Sequence, residues 1–172
     1  SMLIQGIPFQ EVMDTLTQGV KGAVPAVMLL ALAYSINSLS KTMGTADYII
    51  SMSEGFLTPA LLPAIIFVIS AIMAFATGSS WGTFAICMPI ALPLAFTFTG
   101  GELGTLVYAC FGAVAGGGVF GDHCSPLSDT TVLSSTGSAS DHIDHVQTQL
   151  PYALCCGALA IIVYLIIGFT SL

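Results

Sequence analysis

Five apolar runs set the terms for this chain: Val20–Leu39, Thr58–Ala76, Thr83–Thr99, Gly104–Gly121 and Leu150–Phe169. Each approaches the roughly 20 residues that a helix needs to cross a bilayer core. Composition agrees, because only 6% of the 172 residues are charged while 55% are hydrophobic, against roughly a quarter charged in a soluble domain. The expected fold is therefore an all-α integral membrane protein with about five transmembrane helices. The first run follows the acidic "PFQEVMDTLTQG" rather than a basic stretch, which excludes a signal peptide.

The remaining composition excludes several function classes. Net charge is −7 with no basic patch, which argues against a nucleic-acid partner. With two lysines and no arginine, the chain also lacks a polybasic segment for anionic lipid. The five cysteines show no metal spacing, and four of them read as small buried hydrophobes in a reducing setting. Adjacent Cys155 and Cys156 favour packing over lipidation.

Ser1-Met2 reads as a cloning scar on a chain that opens inside a longer one. Phe9, Val12, Met13 and Leu16 suggest an amphipathic helix lying at the interface. Residues 1–19 are thus expected to stand apart from a membrane unit over 20–172. Tyr34, Ser35, Asn37 and Ser38, at the end of the first run, either line a cavity or bond to neighbouring helices and headgroups. A half-helix is expected at Ala46–Ser53.

The second run carries Pro59 and Pro63 in its first turns and leads straight into "TGSSWGT". That stretch is either a tight turn between two spans or a helix broken at depth, whose freed backbone groups a ligand satisfies. The length of the flanking runs favours the turn. Pro89 and Pro93 either kink the helix that follows or cap a shorter piece of it. Gly112-x-x-x-Gly116 with Gly117 and Gly118 predicts close helix packing. Pro151 is expected to open the last helix, with "TGSASDHIDHVQTQ" outside the hydrocarbon.

The densest polar chemistry lies in "GDHCSPLSDTTVLSS", Gly121–Ser135. Asp122 and Asp129, seven residues apart, would share one face of a continuous helix, but Pro126 between them favours an irregular segment. Its carbonyls would join the carboxylates, Ser125, Ser128, Thr130 and Thr131 in an oxygen-rich set that suits a hard cation such as sodium. His123 and Cys124 would suit zinc only with further ligands, and none stands at a recognised spacing.

Charge sharpens the point. Lys21 and Lys41 lie at the two ends of the first run, neither placed to pair with Asp122 or Asp129. An intramembrane carboxylate without a partner is costly, so it stays protonated or holds an exchangeable cation, unless His123 supplies a fixed positive charge. Competition of proton and sodium for one carboxylate is the minimum an antiporter needs. The competing reading makes both aspartates solvated loop or cap residues. In "DHIDH", His142 and His145 either clamp a metal with Asp141 and Asp144 or belong to a solvated acidic segment, and the second reading is favoured.

"ATGSSWGTFAICMPIALPLA" (Ala76–Ala95) and "GDHCSPLSDTTVLSSTGSASDHIDHVQTQLPYAL" (Gly121–Leu154) closely resemble the NhaC-type sodium/proton antiporters of the ion transporter superfamily. The resemblance runs from about Phe9 to the C-terminus. It implies the second half of an inverted-repeat transporter fold with broken or re-entrant segments, and no enzymatic activity. It assigns Asp122, His123, Ser125, Ser128, Asp129, Thr130 and Thr131 to the cation and proton pathway. By the same resemblance, Thr77, Gly78, Ser79, Ser80, Trp81, Gly82 and Thr83 form an unwound, substrate-binding segment, which turns the reading of "TGSSWGT" from turn to broken helix.

The implied activity is sodium/proton exchange by alternating access in a prokaryotic cell membrane, with no cofactor beyond transported sodium and protons. The alternatives are exchange of organic anions such as malate and lactate, or of amino acids, with the substrate carboxylate at helix N-termini near Ser79–Gly82, or an inactive half. The family also implies a missing first half. An inverted second copy is the other expected partner: flanking lysines give almost no orientation vote, and an odd number of crossings inverts a duplicated half.

Overall fold

A computed structural model describes residues 8–44 and 58–171, so the half-helix expected at Ala46–Ser53 lies outside the described residues. The described residues form six helices and no strand: α1 (Phe9–Thr42), α2 (Leu62–Thr77), α3 (Ser80–Phe98), α4 (Thr105–Cys124), α5 (Asp129–Gly137) and α6 (His142–Thr170). Among these residues α3, α4 and α6 are long and apolar enough to cross a membrane, and α2 is apolar but only 16 residues long. The protein is an all-α membrane protein.

The run Val20–Leu39 and the amphipathic stretch before it form one continuous helix, α1, of 34 residues. At 1.5 Å per residue its length is about 50 Å, more than the roughly 30 Å hydrocarbon layer. Ser35 donates to the Ala31 carbonyl of its own helix at 3.1 Å, while the side chains of Tyr34 and Asn37 lie outside the described residues.

α4 is the centre of the bundle, packed by α2, α3, α5 and α6, and α1 lies against α3. The register follows from its glycines. A Cβ on Gly117 would meet Ser70 Cβ at 2.8 Å, and one on Gly121 would meet the Phe75 nitrogen at 2.7 Å. Both also abut α2 carbonyls, those of Phe67 and Ala71. Pairs 67/117 and 71/121 advance together, so α2 and α4 run parallel at backbone contact, which only small residues permit. Gly112 and Gly116 face the Tyr164 hydroxyl instead. The close pair is therefore Gly117/Gly121 rather than Gly112/Gly116.

α6 runs antiparallel to α4, since Gly157 lies on Phe120 while Tyr164 reaches back to Gly116. α3 runs antiparallel to α2, its Cys87 donating to Met73 Sδ at 3.5 Å. The core is Leu62, Ile66 and Phe67 of α2, Leu94 and Ala95 of α3, and Leu106, Val107, Cys110 and Val114 of α4. Phe67 stacks at a tilt on Phe120 and Tyr164, with centroids 5.9 and 5.4 Å apart.

Three expectations change. Pro151 lies inside α6, which starts nine residues earlier because Asp141 caps it, accepting from the Ile143 and Asp144 amides at 2.9 and 3.2 Å. Part of the polar stretch before Pro151 is thus helix. Pro89 and Pro93 lie within an unbroken α3. Only Cys87, Cys110 and Cys124 are buried, whereas Cys155 and Cys156 face outward on α6.

Candidate functional site

Two chain breaks meet at one end of the bundle. The first separates α2 from α3 and is two residues long. Gly78 closes α2 in the left-handed region at φ 66°, its amide donating to the Ala74 carbonyl. Ser79 is extended and caps α3, its Oγ accepting from the Gly82 amide at 3.2 Å. Ser80, Trp81, Gly82 and Thr83 are therefore the first turn of α3, and the unwound segment expected over Thr77–Thr83 shrinks to Gly78 and Ser79. A side-chain cap at Ser79 lets the helix restart at once. Thr77 bonds back to the Met73 carbonyl at 2.8 Å, and buried Thr83 donates to the Ser79 carbonyl at 3.0 Å. Trp81 is exposed and packs edge-on against Phe84.

The second break, Ser125–Ser128, joins α4 to α5. Pro126 has no N–H to continue α4. Ser125 is buried and extended, and its Oγ donates to the Phe75 carbonyl at 2.7 Å. That bond satisfies one of the carbonyls left open at the end of α2. The same oxygen accepts from the Leu127 amide at 3.1 Å. Leu127 lies directly over Gly78, where a Cβ would meet its carbonyl carbon at 2.7 Å. Glycine at 78 thus meets two demands, the positive φ and the contact with the second break.

Ser128 begins α5. Buried completely, its Oγ accepts from the Thr130 amide at 3.2 Å and donates to Asp122 Oδ1 at 2.6 Å. The Thr130 hydroxyl lies 2.7 Å from the same oxygen. The single Ser128 proton goes to the carboxylate, so Thr130 donates to Ser128. Asp122 is half-buried in the last turn of α4, and Thr131, buried, donates to the His123 carbonyl at 3.3 Å. Carboxylate, hydroxyls and the C-terminal carbonyls of two parallel helices therefore gather in one place. The C-termini of these two helices meet the N-termini of α3 and α5 here, so helix-end partial charges of both signs share the site.

Asp122, Ser128 and Thr130 come together, while Ser125 and Thr131 hold the backbone around them. Asp129 stands apart. It is exposed in the first turn of α5, where a carboxylate complements the helix dipole. The His123 ring is exposed as well.

Two residues outside the sequence-derived set touch this site. His142 Nε2 lies 2.8 Å from the Pro126 carbonyl and its Nδ1 lies 3.3 Å from Ser135 Oγ. The Gln149 amide donates to the His123 carbonyl. Their seven-residue spacing on one helix face is legible, but only once α6 is known to start before Pro151. Among the described residues no group of three His, Cys, Asp or Glu could hold a metal ion, so "DHIDH" forms no metal clamp there.

Residues 1–169 match the Na+/H+ antiporter family. The chain belongs to that family. It is 46% identical to an uncharacterized protein of Haemophilus influenzae over 152 residues, which cover 88% of this chain and 28% of that protein. It is 31% identical to the arginine/ornithine antiporter ArcD of Halobacterium salinarum (96% of this chain, 33% of the relative). Identity to the malate-2H(+)/Na(+)-lactate antiporter of Bacillus subtilis is 29% (95% and 34%). The chain spans about a third of the length of these relatives. Relatives with a named activity are antiporters, not enzymes. No solved structure matches.

Proposed function

We propose that this chain supplies the cation-binding half of a sodium/proton antiporter, with the Asp122 carboxylate holding sodium and a proton in turn. The observation that carries the reading is the Ser128–Asp122 bond at the junction of two helix breaks. It holds a half-buried carboxylate beside the Ser128 and Thr130 hydroxyls, oxygen ligands of the kind a hard cation takes. Sodium displaces the proton because both need the same lone pairs. Alternating access then follows from rocking of this half against a first half, or against an inverted copy, in a prokaryotic cell membrane. Asp129 acts from outside the shell, as an exposed charge in the first turn of α5.

Proteoliposomes loaded with a pH-sensitive dye test this. A sodium gradient is expected to drive a pH change that Asp122→Asn abolishes and Asp129→Asn reduces only several-fold. Equal loss from both variants would contradict the unequal roles, and a full signal in Asp122→Asn would sink the reading.

A second reading has its own support, because relatives are named as arginine/ornithine and malate/lactate antiporters. In that case the N-terminus of α3 at Ser79 would receive a substrate carboxylate. Uptake of labelled malate, lactate or arginine that ignores sodium would favour it.

A further inference from the structure

We infer that His142, with Gln149 two turns further along α6, is a positioning pair that clamps the α4–α5 junction so that Ser128 stays on Asp122. The inference rests on the antiport reading of Asp122 and adds residues to it. The junction is four residues long, and the Pro126 carbonyl in its middle belongs to neither helix. Ser125 is gripped from the core side by the α2 carbonyl of Phe75, 2.7 Å away. His142 grips the other side, with Nε2 at 2.8 Å from the Pro126 carbonyl.

A carbonyl only accepts, so Nε2 carries the proton of that bond. Nδ1 lies 3.3 Å from the buried Ser135 hydroxyl, whose own proton goes to the Val132 carbonyl at 2.9 Å. The ring therefore bonds the junction through Nε2 and lies against α5 through Nδ1. Gln149 holds the next point, the carbonyl of His123, one residue beyond Asp122.

The head of α6 therefore fixes the loop between Asp122 and Ser128 at two points, His123 and Pro126. A 2.6 Å bond between groups on two different helices survives only while those helices keep their mutual position. His142 touches neither carboxylate, so its effect on cation binding is exerted through Pro126 and Ser128.

The test combines hydrogen exchange with sodium-dependent transport in the reconstituted chain. His142→Ala is expected to lower protection of the Leu127 and Ser128 amides about tenfold. It should raise the KM for sodium about five- to tenfold, the scale of one lost hydrogen bond, and leave the maximal rate within about twofold. His142→Gln, whose amide reaches Pro126, restores both readouts. His142→Asn, which reaches only Ser135, does not. His145→Ala, on the same turn, leaves both unchanged. A purely structural role predicts less folded protein with KM unchanged, and that result overturns the inference, as does unaltered protection in His142→Ala. Should the unmodified chain give no sodium-dependent signal, the antiport reading fails instead. The exchange pattern then decides the clamp alone, Gln-rescued loss upholding it and unaltered protection refuting it.

Discussion

Ser128 concentrates the site's chemistry in one hydroxyl. It caps α5 and donates to Asp122. Removing it strips the carboxylate of a charge-assisted bond, worth about 1.5–3 kcal/mol, and the helix of its cap, about 1 kcal/mol. Ser128→Ala is therefore expected to raise the KM for sodium at least tenfold, while Ser128→Thr, which can cap and donate, recovers most of the loss. Sodium-titrated dye quenching in liposomes reads both, and equal KM values for Ala and wild type would remove Ser128 from the site. Ser125 gives the contrasting case. Ser125→Ala removes this donor from the Phe75 carbonyl, a loss of about 0.5–1.5 kcal/mol, and thermal melting in detergent should show it as lost stability. Much of this was legible in "GDHCSPLSDTT" as an oxygen-rich set after an apolar helix. The inward role of Ser125 was not, because its partner lies 50 positions earlier in the chain. Nor was the separation of the two aspartates: Pro126 points to an irregular segment between them, but not to which carboxylate stays exposed.

Helix limits follow hydropathy where the chain is apolar and fail where polar caps decide. The runs Thr83–Thr99 and Gly104–Gly121 lie within three residues of α3 and α4 at each end. α5 and the first eight residues of α6 escaped notice, because Ser128 and Asp141 nucleate helix in polar sequence that a hydropathy pattern cannot register. The break at Gly78 was visible as poor helix residues, and its extent was set by the Ser79 cap. What no local pattern could supply was the contact between the two breaks, which depends on α2 and α4 lying parallel. That contact makes Gly78 sensitive in two ways. Gly78→Ala places a side chain at positive φ, costing about 1 kcal/mol, and drives its Cβ into Leu127. Gly121→Ala meets only the second problem, against the α2 backbone, where overpacking costs about 1–3 kcal/mol. Both variants should melt earlier than wild type. Only Gly78→Ala should also reduce sodium affinity, because it pushes on the junction that carries Ser128. A Gly121→Ala variant with the larger affinity defect would argue against coupling between the breaks.

At the scale of the whole molecule, the ends of α2 and α4 and the starts of α3, α5 and α6 share one end of the bundle. The turn between α3 and α4 marks the other. Glu102 lies in that far turn and Ser138 in the turn between α5 and α6, both exposed, so together they report which way the chain crosses. Orientation is set chiefly by lysine and arginine beside the spans. The chain has only Lys21 and Lys41, and both belong to α1, so α3, α4 and α6 carry no such signal of their own. Inserted alone, the chain is expected to enter membranes both ways in roughly equal amounts. Glu102→Cys and Ser138→Cys, each in a background with Cys155 and Cys156 replaced by alanine, should each be labelled by an impermeant maleimide from both faces. Three lysines added at one end of the chain should collapse the mixture, after which Glu102→Cys and Ser138→Cys label from opposite faces. One-sided labelling without added charge would show that orientation is encoded elsewhere, and an inverted pair of identical copies would then lose its simplest route of assembly.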